Sequence, residues 1–534
     1  MSRAPEPAPG PGKASAGGRL KDWIRRAREG AHEVLERGQR PPLGPADQDS
    51  ETAEVAQLAS PRGIIGRFAA LLTARTLRDL VLTAVLLTLA ARDAASFGRL
   101  AVAMAVGSIV VKVVGCGFDL LLTTRLGRPD ARSAEWMAAV AAIKVVILAA
   151  VLLVVKVAAE LLGHDADLEL AMLLSALGMG LSSVVDSFHV IVRLSGLQVL
   201  ESAIRSLGVL AGGSVALLAV HSAPSATSAA LVFPVESAVG LTLVVAALGV
   251  GRRLSELIRR CSWSSALHLL TSNLPFALIS ILAILYDKTP LFALERLRGA
   301  DVVALFSGCW MVVDWLACAA SALLISGVMF PLMARWPADD PDGLDRLAGR
   351  AWSWLVRVGL TVGLGIYGLR SLLDLVFPSI QPAQSGLVLI LIWTIPAALS
   401  TTLFMSLMLA TGRQCLLLGL IALTLAANIA LNALLVPGQG ALGAAWVMTA
   451  TKLLIALLTA GYAARRTSAL GLRAAATAVR FGVLAWGSFL LGRLLVPDQA
   501  AAAAVLLGAG LLLWQERARE RARRPAAAVS ELDP

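Results

Sequence analysis

Fourteen apolar stretches, none shorter than 18 residues, leave this chain few ways to fold. They run 64–90, 97–123, 134–161, 168–193, 197–221, 227–250, 264–286, 300–334, 350–377, 386–411, 414–436, 440–464, 473–495 and 499–516. A helix rises about 1.5 Å per residue, so nearly all of them are long enough for a hydrocarbon core of about 30 Å. Ala, Leu and Val dominate, without the period-2 alternation of a membrane barrel. The expected fold class is all-α, a polytopic membrane protein of about fourteen transmembrane helices. Composition agrees: 57% of the 534 residues are hydrophobic and 16% are charged, where a soluble domain carries about 25% charged.

The net charge of +11 would suggest nucleic-acid binding in a soluble chain. Here the basic residues sit in short connections between the apolar runs. Counting from an internal N-terminus, the inner connections hold Arg125, Arg128, Arg132, Arg193, Arg252, Arg253, Arg259, Arg260, Arg335, Arg346, Arg350, Arg413, Arg465, Arg466 and Arg473. The outer ones hold Arg92, Lys288, Arg296 and Arg298, and otherwise read HDADLE, HSAPSAT, PSIQPAQS and VPDQ. This is the positive-inside pattern. It places both termini in the cytoplasm of a bacterial cell, the chain in the inner (plasma) membrane among its lipids, and no nucleic acid among its partners.

The first sixty residues contain no short apolar core near Met1, so the first span doubles as the targeting element. Residues 1–19 are rich in Pro, Gly and Ala. Between 20 and 37, Leu20, Trp23, Ile24, Ala27, Ala31, Val34 and Leu35 fall on one helical stripe opposite Lys21, Arg25, Arg26, Arg28 and Glu29. Two readings stay open: a helix lying on the anionic inner leaflet, or a solvated helix in a cytoplasmic tail spanning 1–60. Either leaves the tail as a candidate docking segment for a cytoplasmic partner. A second basic tail, 517–534, closes the chain.

Enzymatic readings start low. Outer connections of about fifteen residues or fewer leave no room for a catalytic domain. The chain has no Walker loop, GxSxG elbow, HExxH or paired-carboxylate loop motif. Cys116, Cys261, Cys309, Cys318 and Cys415 form no CxxC or Cys/His metal spacing, so no cofactor, metal or disulfide is expected.

The spans divide as six, six and two. The basic loop RRLSELIRRCSWSS, 252–265, separates 64–250 from 264–464, and 473–516 follows. Three stretches then resemble polysaccharide flippases of the multidrug/oligosaccharidyl-lipid/polysaccharide exporter superfamily. The first is SFGRLAVAMAVGSIVVKVVGCGFDLLLTTRLGR, 96–128, ending in Gly117–Phe118–Asp119. The second is LYDKTPLFALERLRGADVVALFSGCW, 285–310, with its acidic Asp287, followed by MFPLMARW, 329–336. The third is LATGRQCLLLGLIALTLAANIALNALLVPGQGALGAAWVMTATKLL, 409–454, carrying Asn428, Asn432, Pro437 and Gly440. The resemblance implies two six-helix lobes, 64–250 and 264–464, around a cavity opening alternately to each side, with two added C-terminal helices. It also implies a lipid-linked sugar as substrate, made for cell-surface polysaccharide or peptidoglycan synthesis. Two alternatives stand beside it: an ion-coupled multidrug exporter of the same fold and, from another class, a membrane scaffold or pseudo-transporter working through its tail.

A charge far from a span end costs about 2.5–3.5 kcal/mol if it faces lipid, so such residues face protein or water. The spans place Arg75, Arg78, Asp79, Lys112, Lys144, Asp314 and Lys452 in this position. Arg67, Arg75 and Arg78 share a helical stripe, which suits a diphosphate headgroup through paired guanidinium hydrogen bonds. The competing reading makes these residues structural ion pairs between helices, starting with Arg75–Asp79. Asp119, Asp287 and Lys288 are gate candidates nearer the span ends. Asp186, His189, Glu201, Arg205 and Arg357 fall in the inner third, where snorkelling or ion pairing is usual. Pro234, Pro275 and Pro396 predict kinks.

Overall fold

The computed structural model describes residues 61–118, 133–194, 197–249, 263–320, 341–377 and 386–466, together with Arg25 and Leu122. Among them every regular element is a helix. These are α1 (Pro61–Arg92), α2 (Ala94–Gly115), α3 (Ser133–Leu162), α4 (Ala166–Leu194), α5 (Gln198–Ser222), α6 (Ala226–Ala230) and α7 (Val232–Leu248). They continue as α8 (Trp263–Arg298), α9 (Ala300–Ala320), α10 (Pro341–Gly368), α11 (Ser371–Val376), α12 (Leu387–Leu391), α13 (Thr394–Ala410), α14 (Gln414–Gln439) and α15 (Ala441–Arg466). The first twelve expected spans each coincide with one of these helices or a broken pair. The tail segment 20–37 apart from Arg25, the spans 473–495 and 499–516, and Asp119 lie outside the described residues.

Among the described residues, ten helices are long and apolar enough to cross a membrane, which makes the chain a multi-pass membrane protein. Helix α1 is long enough, at 32 residues, but differs from those ten. Every 18-residue window of it carries at least three charged residues, drawn from Arg62, Arg67, Arg75, Arg78, Asp79 and Arg92.

The connections on one side of the helices are very short. Asp93 alone joins α1 to α2 and caps α2: its Oδ1 accepts from Ala95 N at 3.0 Å and its Oδ2 from Ser96 Oγ at 2.5 Å. Partial burial pushes the Asp93 carboxyl up, but these bonds and Arg99 outweigh it and hold it below its ordinary value. Gly299 alone joins α8 to α9 at φ +83°, and Gly440 alone joins α14 to α15 at φ +56°. Both conformations are left-handed, which a residue with a Cβ adopts only under strain.

Two boundaries differ from the sequence expectation, with consequences for the site. The seventh span was expected to end at 286, yet α8 runs on to Arg298. Leu291, Phe292 and Leu294 keep the stretch apolar beyond the charged pair, so Asp287 and Lys288 become interior to the helix instead of terminal. The second span was expected to reach 123, yet α2 stops at Gly115, where Cys116 (φ 42°) and Gly117 (φ 68°) turn left-handed. Lys112 therefore sits in the last turn, where a cation complements the helix dipole. Two of the three prolines expected to kink helices act at ends instead, while Pro275 lies inside α8. Pro234 and Pro396 lie in the first turns of α7 and α13, just after breaks at Leu231 and at Ile392–Trp393.

The chain divides into two compact units: Met1–Leu89 with Ala103–Ile281, and Ala90–Val102 with Leu282–Pro534. In the first, α7 packs on α4 and α5, and α3 on α4. Its core gathers Phe118, Met137, Val140, Ile143, Val184, Phe188, Ile191, Leu200, Ile204 and Val244. In the second, α15 packs on α13 and α14, and α10 on α13. Phe306, Phe404, Leu391, Leu399 and Met448 are among its buried residues.

Candidate functional site

In the second unit, α8, α9 and α15 bring four flagged charges together. Lys452 Nζ lies 2.9 Å from Asp287 Oδ1, and Lys288 Nζ lies 2.9 Å from Asp287 Oδ2. Lys452 also sits 4.4 Å above the Trp310 ring, a cation–π contact. Asp314, one turn after Trp310, acts electrostatically on both lysines. Two carboxylates and two ammonium groups leave the cluster neutral. Asp287 and Lys452 each stand twelve residues from a tight turn, Gly299 and Gly440, or about 18 Å along the helix. That is mid-depth for a core of about 30 Å, where an unpaired charge is most costly.

A polar ladder flanks this cluster. Asn432 Nδ2 donates to Asn428 O and Oδ1 at 2.8 Å, and Asn428 Nδ2 donates to Thr451 Oγ1 at 3.0 Å. Both asparagines are buried. Hydrogen bonds of this kind hold α14 against α15 where hydrophobic burial offers no driving force. The sequence reading put Lys452 and Asp314 in a cavity and Asp287 and Lys288 at a gate. The longer α8 makes them one group.

In the first unit, Arg78 Nε pairs with Glu236 Oε1 at 2.9 Å, joining α1 to α7. Glu236 was absent from the sequence census, although an acid inside the apolar run 227–250 is the same signal that flagged the others. Its backbone is set by close helix packing. A Cβ on Gly208 would approach Glu236 O to 2.8 Å, and one on Gly212 would approach Glu236 N to 3.0 Å. These small positions let α5 and α7 approach closely. Arg75 is exposed and Asp79 half-buried on the same helix, and Lys112 is exposed. Lys144 is fully buried in the core, where its Nζ donates to Ser183 O at 2.7 Å, so it braces α3 against α4.

A second network, in the first unit, joins the far ends of α4 and α5. Glu201, buried, accepts from Arg193 Nε at 2.9 Å and Arg193 Nη2 at 2.9 Å, and from Arg205 Nε at 2.9 Å. Arg205 Nη2 also donates to Asp186 Oδ1 at 2.6 Å. Asp186 lies about 30 Å along α4 from its start at Ala166, so the network occupies the helix ends opposite the 163–165 turn. Arg357 is buried in the second unit, its Nη2 donating to Ser353 Oγ at 3.0 Å. No group of three or more metal-ligating side chains occurs among the described residues.

Long apolar helices carrying buried, balanced charge, some joined by one-residue turns, describe a polytopic membrane bundle. The fold matches solved structures at this point. One is an inward-facing multidrug resistance MATE family transporter of the MOP superfamily: TM-score 0.57, 15% identity, covering 74% of this chain and 95% of that one. Another is the lipid II flippase MurJ in an inward closed conformation: TM-score 0.58, 10% identity, covering 85% of this chain and 99% of that one. The chain thus has the fold found in MOP-superfamily transporters, as the motifs at 96–128, 285–310 and 409–454 implied. No family model and no curated protein matches the sequence.

Proposed function

We propose that the protein is an alternating-access flippase that moves an undecaprenyl-diphosphate-linked oligosaccharide from the inner to the outer leaflet of the bacterial inner membrane. The fold supports a carrier, and two lobes working against each other supply the two states. The observation that carries the substrate class is α1. A helix of spanning length with at least three charges in every 18-residue window is expected to face protein, water or a polar ligand, not lipid. Arg75 and Arg78 lie one turn apart on it, and even the paired Arg78 side chain is 42% exposed. Guanidinium groups held this way suit a diphosphate headgroup. The ligand's lipid part and its place in cell-surface polysaccharide or peptidoglycan synthesis follow from the motif resemblance.

The test uses purified full-length protein in liposomes with a fluorescent undecaprenyl-diphosphate disaccharide, read as the fraction reachable by an external quencher. Transfer should depend on the protein and fall roughly ten- to hundredfold in Arg75→Ala, the loss of one charge-assisted contact. Ion-gradient-driven efflux of a cationic dye, with no lipid transfer, would instead establish the multidrug reading that the MATE likeness supports. Arg75 is the cleaner probe, because Arg78 and Lys452 already hold ion pairs.

A further inference from the structure

Within the α4–α5 network sits one side chain that the network does not use. His189 is 1% exposed, and neither ring nitrogen has a hydrogen-bond partner among the described residues. Its Nδ1 stands 3.8 Å from Asp186 Oδ1 and 4.0 Å from Glu201 Oε1, just beyond bonding range of both carboxylates. Those carboxylates are instead occupied by Arg193 and Arg205.

The charge count makes the vacancy at His189 informative. Asp186 and Glu201 balance Arg193 and Arg205, so the network is neutral when the imidazole is neutral. Among the described residues, charges on neighbouring helices include Glu236 on α7, which Arg78 of α1 already holds, and Lys144 on α3, which is bonded to Ser183 O on α4 itself. A proton on His189 would add one uncompensated positive charge in a buried place. It would also fix a proton on Nδ1, making it a donor within about 1 Å of reach of both carboxylates in competition with the arginines, and leave Nε2 a second buried donor. A neutral imidazole therefore fits the described arrangement and a charged one does not.

We propose that His189 is a proton-binding site that latches the ends of α4 and α5: neutral His189 holds them together, and proton uptake releases them. A site that binds a proton poorly in one arrangement and well in another shifts the population by that difference. Acid therefore favours the released arrangement, and alkali the one described. Only the latch's place in a transport cycle rests on the flippase reading; its existence does not.

The test needs no substrate. Full-length protein in lipid nanodiscs is followed by backbone hydrogen–deuterium exchange at pH 8.0 and 5.5, corrected for the intrinsic rate. Protection across 186–205 should fall at least fivefold at the lower pH, while 428–451 in the second unit stays constant. His189→Gln should hold its protection at both values, and Glu236→Gln should keep the wild-type response. An unchanged wild-type profile would overturn the latch by itself, whether or not His189→Gln folds. So would an undiminished response in folded His189→Gln, because another group would then be titrating. Lipid transfer that fails while the exchange response appears would count against the flippase reading and leave the latch standing.

Discussion

In the first unit, the densest charge network, Asp186–Arg205–Glu201–Arg193, lies at helix ends, and Arg193 keeps 41% of its side chain exposed. In the second unit the corresponding group, Asp287–Lys288–Lys452, lies at mid-helix, and none of its side chains exceeds 17% exposure. Both are neutral, the second once Asp314 is counted with it, but they are neutral under different conditions. Charges at a helix end can exchange partners with water or a proton, so their pairing can serve as a switch. Charges at mid-depth lack that alternative, so their pairing has to persist unless a ligand replaces it. The same chemistry therefore gives a latch in one unit and a brace or ligand seat in the other.

The comparison is most exposed to Glu201→Ala. This change strands Arg193, leaves Arg205 with Asp186 alone, and should cost about 3–5 kcal/mol. It would be read as a large fall in the thermal midpoint of detergent-purified protein, and a wild-type midpoint would show that the network contributes nothing. Lys452→Met should cost less, about 1.5–3 kcal/mol, because Lys288 still holds Asp287. Adding Asp287→Asn should recover part of that loss, and no recovery would mean Lys452 acts through Trp310 alone. Asp93→Ala, outside both networks, removes the cap of α2 and should cost about 1 kcal/mol. Because the folded carboxyl is held below its ordinary value, this contribution is fully present above the unfolded carboxylate range and is lost as the pH falls from there through the lower folded value. A wild-type loss that begins at neutral pH would point elsewhere. Arg75→Ala should change stability by less than about 0.5 kcal/mol, as expected of an exposed residue. A substantial fall in membrane abundance would make Arg75 structural and remove it as a headgroup contact.

Much of the fold was legible because length and hydropathy are local properties. The helices from α1 to α15 stand where the apolar runs stand. Their ends were harder to read: apolar content continued past Asp287 in α8, while in α2 it continued to 123 although the backbone turns at Cys116. The site was legible as a set of residues but not as contacts. Lys452, Asp314, Asp287 and Lys288 all stood out as charges in apolar sequence. That they meet depends on how α8, α9 and α15 pack, which no local pattern records. Glu236 shows the converse: its partner was flagged, and it was not, so Arg78 looked unpaired. Lys144 stood out for the same reason as Arg75, and only the structure separates a bolt in the core from an exposed base.

The Asp287–Lys452 pair also sets a schedule for making the protein. Its members lie 165 residues apart in the chain (452 − 287). At about 5–20 residues per second of synthesis, α8 waits roughly 10–30 seconds before α15 exists. During that interval Asp287 has one neighbour that can neutralise it, the adjacent Lys288. The neighbouring lysine thus protects a half-built protein in the membrane, and the finished cluster keeps it as an inheritance from assembly.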